Sequence, residues 1–263
     1  MQTTKSSGPV ILAVCGKGGV GKTTVSAMLV RMLAEDMSAR VLAVDADPAE
    51  GLAGSLGFDA DTTLDDIRRE FIQQLEQGKT GAAEEVHGQL DYRITESLVE
   101  RDNTAFLSIG RPEGAGCYCK INSLLRDILG SLSSGFDYVV IDGEAGIEQV
   151  NRRVMEQVTH LVMVTDMSRR GWKVVTSLKE VADRSVSYHN AGLIVNRVQH
   201  GEEIDPAWLP EGVKLLGTVP EDADLRTLDM EGTSIMHLSE GPVTEAIGRC
   251  LRGLLHNANM KVR

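Results

Sequence analysis

Short apolar runs alternate along most of this chain with segments whose apolar residues recur every three to four positions. Val10–Val14, Val41–Val44, Ala105–Ile109, Tyr138–Ile141, Leu161–Val164, Leu193–Val195 and Leu215–Val219 are near-continuous apolar runs of strand length. After the first run, Val25, Met28, Leu29, Met32 and Leu33 fall on one helical face. Strands apolar on both sides, separated by helices, predict an α/β fold with a doubly wound, mostly parallel sheet covered on both faces. The runs end in polar or turn residues: Asp45-Ala46-Asp47-Pro48, Gly110, Asp142, Thr165-Asp166, Asn196-Arg197 and Pro220. The carboxyl edge of such a sheet is where ligands bind.

Residues 62–103 break this rhythm. Leu64, Ile67 and Phe71 predict one helix, which Gly78-Lys79-Thr80-Gly81 ends, and the charged stretch that follows lacks strand signals. It is expected to be a helical insertion within a single domain spanning 9–263, with residues 1–8 as a loose tail. Gly201 to Gly212, with Pro206 and Pro210, predicts a surface loop. Val243, Ala246, Ile247, Cys250, Leu251, Leu254 and Leu255 form the apolar face of a last helix. That face is expected to pack on the sheet; with Arg249 and Arg252 it could instead dock on a membrane.

Composition narrows the function. A net charge of -11 argues against a general nucleic-acid surface. No run is long and apolar enough to span a bilayer, so no stable membrane association is expected. The N-terminal tail lacks the apolar stretch of a signal peptide, and four cysteines in so long a chain do not suggest a disulfide framework. Both point to the cytoplasm and to reduced thiols.

The sharpest chemical signal is Gly16-Lys17-Gly18-Gly19-Val20-Gly21-Lys22-Thr23-Thr24. It fits the phosphate-cradling pattern of P-loop NTPases and lies between a predicted strand and a predicted helix. Glycines let backbone N–H groups curl round a polyphosphate, and the helix presents its positive end to the anion. Lys22 can reach the terminal phosphates, and the Thr23 hydroxyl can hold magnesium. Asp142, at a strand end beside Gly143 to Gly146, can bind magnesium directly or through water; its other reading is a helix N-cap. The glycines there suit a loop that senses the terminal phosphate. Asp47, and less clearly Asp45, could orient the attacking water, although Asp-Pro is also a common turn starter. Lys17 is surplus to one subunit's needs. It could reach a nucleotide bound to a second subunit, as an arginine finger does, or it could be a solvated loop lysine.

GKGGVGKTT, VDADP and DYVVIDGEAG resemble the deviant Walker A ATPases, a family that includes septum-placing and chromosome-partitioning ATPases, the nitrogenase iron protein and metal-centre maturation ATPases. The resemblance runs over most of the chain and is thinnest in the helical insertion. It implies that Lys17 crosses a homodimer to the partner's ATP and that Asp47 activates water. It also implies that Asn196, with Arg197 beside it, contacts adenine, and that Pro220-Glu221-Asp222 forms the other adenine-side loop. One departure is that Ala49 follows Asp47-Pro48 where many relatives carry asparagine.

Cys117 and Cys119 stand just ahead of a helical face set by Ile121, Leu124, Leu125 and Ile128. On an extended segment the two thiols point the same way, and a helix start lowers thiol pKa. Two thiolates fill half of a four-coordinate site, so a dimer could supply four sulfurs to one zinc or nickel ion. From spacing alone, a packed, inert pair is an equal reading. GRPEGAGCYCK, IDGEAGIE and Ser168-Arg169-Arg170 resemble the CooC-type ATPases that mature carbon monoxide dehydrogenase. That resemblance implies a shared nickel or zinc site at Cys117 and Cys119, dimerisation that depends on ATP and metal, and carbon monoxide dehydrogenase as the client for nickel insertion. Two alternatives are an iron–sulfur electron donor like the nitrogenase iron protein and a MinD-like spatial organiser. Cys15, Trp172 and Trp208 are expected to be structural, and the six histidines show no ligand spacing with the cysteine pair.

Overall fold

The computed structural model describes residues 8–78, 83–111, 119–143 and 157–259. Its strands are β1 (Val10–Gly16), β2 (Val41–Ala46), β3 (Val99–Arg101), β4 (Thr104–Ser108), β5 (Tyr138–Gly143), β6 (Gln157–Thr165), β7 (Ser187–Val198) and β8 (Val213–Pro220). They form one sheet in the order β3-β4-β2-β5-β1-β6-β7-β8. All pairings are parallel except β3 with β4. The helices are α1 (Lys22–Ala34), α2 (Gly51–Leu56), α3 (Leu64–Glu76), α4 (Ala83–Glu96), α5 (Cys119–Ser133), α6 (Arg169–Ser185), α7 (Ala223–Glu231) and α8 (Pro242–Asn259).

Period-two alternation along each central strand divides the core between two faces. Leu12 and Val14 of β1, Val140 of β5, and Val162 and Val164 of β6 face one layer, with Val25, Met28 and Leu29 of α1 and Val243, Ile247 and Cys250 of α8. Ala13 and Cys15, Val139 and Ile141, and Leu161 and Met163 face the other, with side chains of α3, α4, α5 and α6. Both faces of the sheet are therefore covered, which is why its central strands carry near-continuous apolar runs. The apolar face of α8 packs in the first layer, where Val243, Ala246, Ile247, Cys250, Leu251 and Leu254 are buried. No helix among the described residues is long and apolar enough to cross a membrane.

The 62–103 segment carries α3 and α4 and, against the sequence reading, the edge strand β3. Three residues with two charges, paired antiparallel on one side only, leave no apolar alternation to detect. Thr63 caps α3 in a reciprocal capping box with Asp66. Leu64, Ile67 and Phe71 of α3 and Leu90 and Ile94 of α4 join the same buried cluster as β2 and β4. One histidine is core: His160 on β6 is fully buried, both ring nitrogens lack a partner, and burial pulls its pKa down to about 4.

Candidate nucleotide site

The loop after β1 packs against the ends of β6 and β7 because two glycines leave room for it. A Cβ on Gly16 would collide with the Val164 carbonyl oxygen, and one on Gly21, whose φ is 90°, would collide with Asn196 Nδ2. Asn196 Nδ2 donates to the Val20 carbonyl at 2.8 Å, and Arg197 Nη1 donates to the Gly19 carbonyl at 3.0 Å. Arg197 takes a left-handed φ of 58° to do so. Gly18 and Gly19 remain exposed, whereas Val20 is buried and anchors the loop.

Behind the loop, Lys22 is 7% exposed and its Nζ lies 3.9 Å from Asp47 Oδ2. Asp47 Oδ1 accepts the Ala49 N–H at 2.9 Å, so the predicted turn chemistry and the predicted place beside the phosphate lysine coexist. Lys17 Nζ lies 4.0 Å from Asp166 Oδ2, with side chains 29% and 30% exposed. Asp166 follows β6. Partial burial opposes its ionisation, but the Ser168 hydroxyl and N–H, with Lys17, hold its pKa below the usual range.

Asp142 and Asp45 are register neighbours on β5 and β2 and are almost completely buried. Burial pushes Asp142 up to about 6, against the pull of the Thr23 and Ser26 hydroxyls and Lys22. Its Oδ1 accepts the Ser26 hydroxyl at 2.9 Å, while its Oδ2 is buried without a hydrogen-bond partner. An orphaned carboxylate oxygen beside Thr23 is the donor set that magnesium takes, so the residues fit that ion. Burial, opposed by the Leu52 N–H and reinforced by Asp142, pushes Asp45 up to about 7. Asp45 accepts the N–H groups of Asp47 at 3.1 Å and Leu52 at 2.9 Å. It therefore shapes the loop rather than facing a ligand.

On the far side of the loop, a cavity of about 420 Å³ is lined by Thr24, Asn196, Arg197, Pro220, Asp222 and Leu225, among others. Asp222 also N-caps α7, accepting the Leu225 N–H at 2.8 Å. Thus the sequence-predicted residues Gly16 to Thr24, Asp47, Asp142, Asn196, Arg197, Pro220 and Asp222 share one sheet edge. Gly146 and Cys117 lie outside the described residues, and Cys119 is placed only as the first residue of α5. Sequence reasoning missed Ser26, Asp166 and Arg111, the last of which donates to the Pro48 carbonyl at 2.8 Å. Only the position of Asp166 at a strand end hinted at its place; the other two depend on pairings across the fold.

The acid pair gives a test. A raised carboxyl pKa means that the folded state holds a proton which the unfolded chain has already lost near pH 3.8. The resulting penalty is absent at low pH and complete above about 6. Asp142→Asn should therefore raise the Tm of nucleotide-free protein by a few degrees at pH 8 and by little at pH 4, close to the unfolded-state pKa of 3.8. Calorimetry at the two pH values checks this, and an unchanged or lowered Tm at pH 8 contradicts it.

A glycine-built phosphate loop, a buried lysine and an orphaned strand-end carboxylate on a doubly wound sheet define a P-loop ATPase. Residues 11–235 match the CobQ/CobB/MinD/ParA nucleotide binding domain. The chain is 35% identical over 234 residues to the uncharacterized ATP-binding protein MJ0685 of Methanocaldococcus jannaschii, covering 88% of this chain and 92% of that one. It is 32% identical over 240 residues to the carbon monoxide dehydrogenase accessory protein CooC of Rhodospirillum rubrum, covering 87% and 90%. Among solved structures, the septum site-determining protein MinD of Pyrococcus horikoshii, complexed with Mg-ADP, superposes with a TM-score of 0.67 at 23% identity, covering 97% and 99%, and shares the fold. The chain belongs to the CobQ/CobB/MinD/ParA family and is an ATPase.

Proposed function

We propose that this ATPase is a dimerising metal-centre maturation factor that inserts nickel into the cluster of a carbon monoxide dehydrogenase-type client. ATP turnover gates a soft-metal site made by Cys117 and Cys119 of two chains. The observation that carries this reading is a hydrogen-bonded bridge between the nucleotide edge and the chain leading to the cysteines. The Ile109 N–H donates to the Asp45 carbonyl at 2.8 Å, and Arg111 Nε donates to the Pro48 carbonyl. The segment that runs on to Cys117 thus starts on the loop bearing Asp47. The 32% identity to a carbon monoxide dehydrogenase accessory protein supports the choice of client.

Lys22 is close enough to Asp47 to be held by it, and an arriving γ-phosphate competes for the same ammonium group. Lys22 then serves the phosphates, and Asp47 is free to orient the attacking water. Water forms a bond to the γ-phosphorus as the bond to the β,γ-bridging oxygen breaks, giving ADP and phosphate. Thr23 and Asp142 would hold magnesium, which would supply charge neutralisation at the phosphates. The release of Asp47 moves the loop that Arg111 grips, and with it the cysteine segment. The 420 Å³ cavity beside Asn196 and Arg197 takes the adenine.

Thiol labelling tests the link. Cys15 and Cys250 are buried, and burial pushes their thiols up to about 12 and 11, so they stay unreactive in the folded protein. Fast labelling by 5,5′-dithiobis(2-nitrobenzoate) therefore reports Cys117 and Cys119. Mg-ATP should change that rate several-fold in the unaltered chain but not in Arg111→Ala. A rate indifferent to nucleotide in the unaltered chain contradicts the gating.

A further inference from the structure

The end of β6 and the start of α6 build a second feature that the nucleotide reading leaves unused. Met167, Arg169, Arg170, Trp172, Lys173 and Trp208 line a cleft of about 680 Å³, far larger than an inorganic anion needs. Trp208 is 44% exposed and rests on the buried Trp172, with ring centroids 5.3 Å apart at 60°. Arg169, Arg170 and Lys173 are all exposed, and none makes an ion pair among the described residues. Three uncompensated cations in one place are unexpected in a chain of net charge -11. Among the described residues, no ion pair joins them to Glu202, Glu203 or Asp205 of the loop before Trp208; Asp205 and Glu202 instead accept the Ala207 and Gln199 N–H groups.

Exposed arginine beside exposed tryptophan is the side-chain pairing that concentrates binding energy at protein interfaces. We propose that this cleft docks an acidic segment of a partner protein, with an apolar side chain seated on Trp208 and carboxylates on Arg169, Arg170 and Lys173. The charge complementarity selects acid, and the indole face selects an apolar anchor between the acids. The rim is joined to the phosphate loop, because Ser168 between Met167 and Arg169 bonds Asp166, the partner of Lys17. The docking side chains therefore adjoin, through Ser168, the ion pair that Lys17 makes. The proposal does not depend on the metal reading.

Selection from a library of short random peptides displayed on phage tests it. The full-length protein should enrich peptides in which Asp and Glu flank Phe, Leu or Trp. Synthetic copies lacking tryptophan should shift the emission of Trp172 and Trp208, the chain's two tryptophans. Arg169→Glu/Arg170→Glu and, separately, Trp208→Ala should each weaken binding by roughly tenfold or more while leaving the thermal melt intact. Selected peptides without acidic enrichment, or binding indifferent to both variants, overturn the proposal. So does tighter binding of oligo-dT through the same residues, which assigns the cleft to nucleic acid. A charge-reversed variant that only changes the protein's oligomeric mass assigns it to a second copy and overturns it as well.

Discussion

Lys17→Ala should lower ATP turnover by roughly a thousand-fold or more while leaving nucleotide affinity close to that of the unaltered chain. The expectation rests on what Lys17 does and does not touch. Its partner in the single chain, Asp166, is 4.0 Å away and both groups are partly exposed. Such a pair contributes about 1 kcal/mol at most, so Lys17 is free to leave it. Lys22 is buried behind the loop, and in the proposed site it serves the phosphates of its own chain. In the proposed dimer, this cation on the loop's rim, beside the exposed Gly18, would serve the nucleotide of the facing copy.

Mixing variants separates that role from a local one. Lys22→Ala removes a chain's own phosphate contact but keeps its Lys17. Neither variant should turn over ATP alone. Mixed in equal amounts, they should recover about a quarter of normal activity, because half of randomly paired dimers hold one competent site of two. A mixture as inactive as its components removes the role in trans.

Cys117→Ala/Cys119→Ala should abolish stoichiometric nickel or zinc binding and spare ATP binding. In a shared four-sulfur site each chain supplies half of the ligands, and the free energy of such a site is on the order of 10 kcal/mol. Either single change already cuts four sulfurs to two across the dimer, so each alone should lower affinity by about a thousand-fold or more. Metal analysis after gel filtration reads this directly. The unaltered chain should carry half an ion per copy, and the double variant none. Metal retained by the double variant refutes the assignment to these cysteines.

How much of this was written in the sequence depends on the range of the interactions. The phosphate loop was legible because its constraint is local: Gly16 and Gly21 have no room for a side chain, and Lys22 and Thr23 must follow directly. The seven long strands were legible because two covered faces call for near-continuous apolar runs. β3 was not, since a three-residue edge strand carries no such pattern. Ser26 with Asp142, Lys17 with Asp166 and Arg111 with Pro48 were not legible either. Each joins residues that only the sheet order brings together. Asp45 and Asp47 show the same limit. Both end the same strand, but burial and two N–H donors turn Asp45 to loop support, while Asp47 stays beside Lys22. Trp208 was expected to be structural, but its exposure and its cationic neighbours are properties of the folded surface.

Native mass spectrometry reads nucleotide, metal and chain number in a single species. Protein loaded with magnesium and a non-hydrolysable ATP analogue, then given nickel or zinc, should fly as two chains with two nucleotides and one soft metal ion. A nucleotide-bound single chain that takes up no metal would contradict the account at its centre.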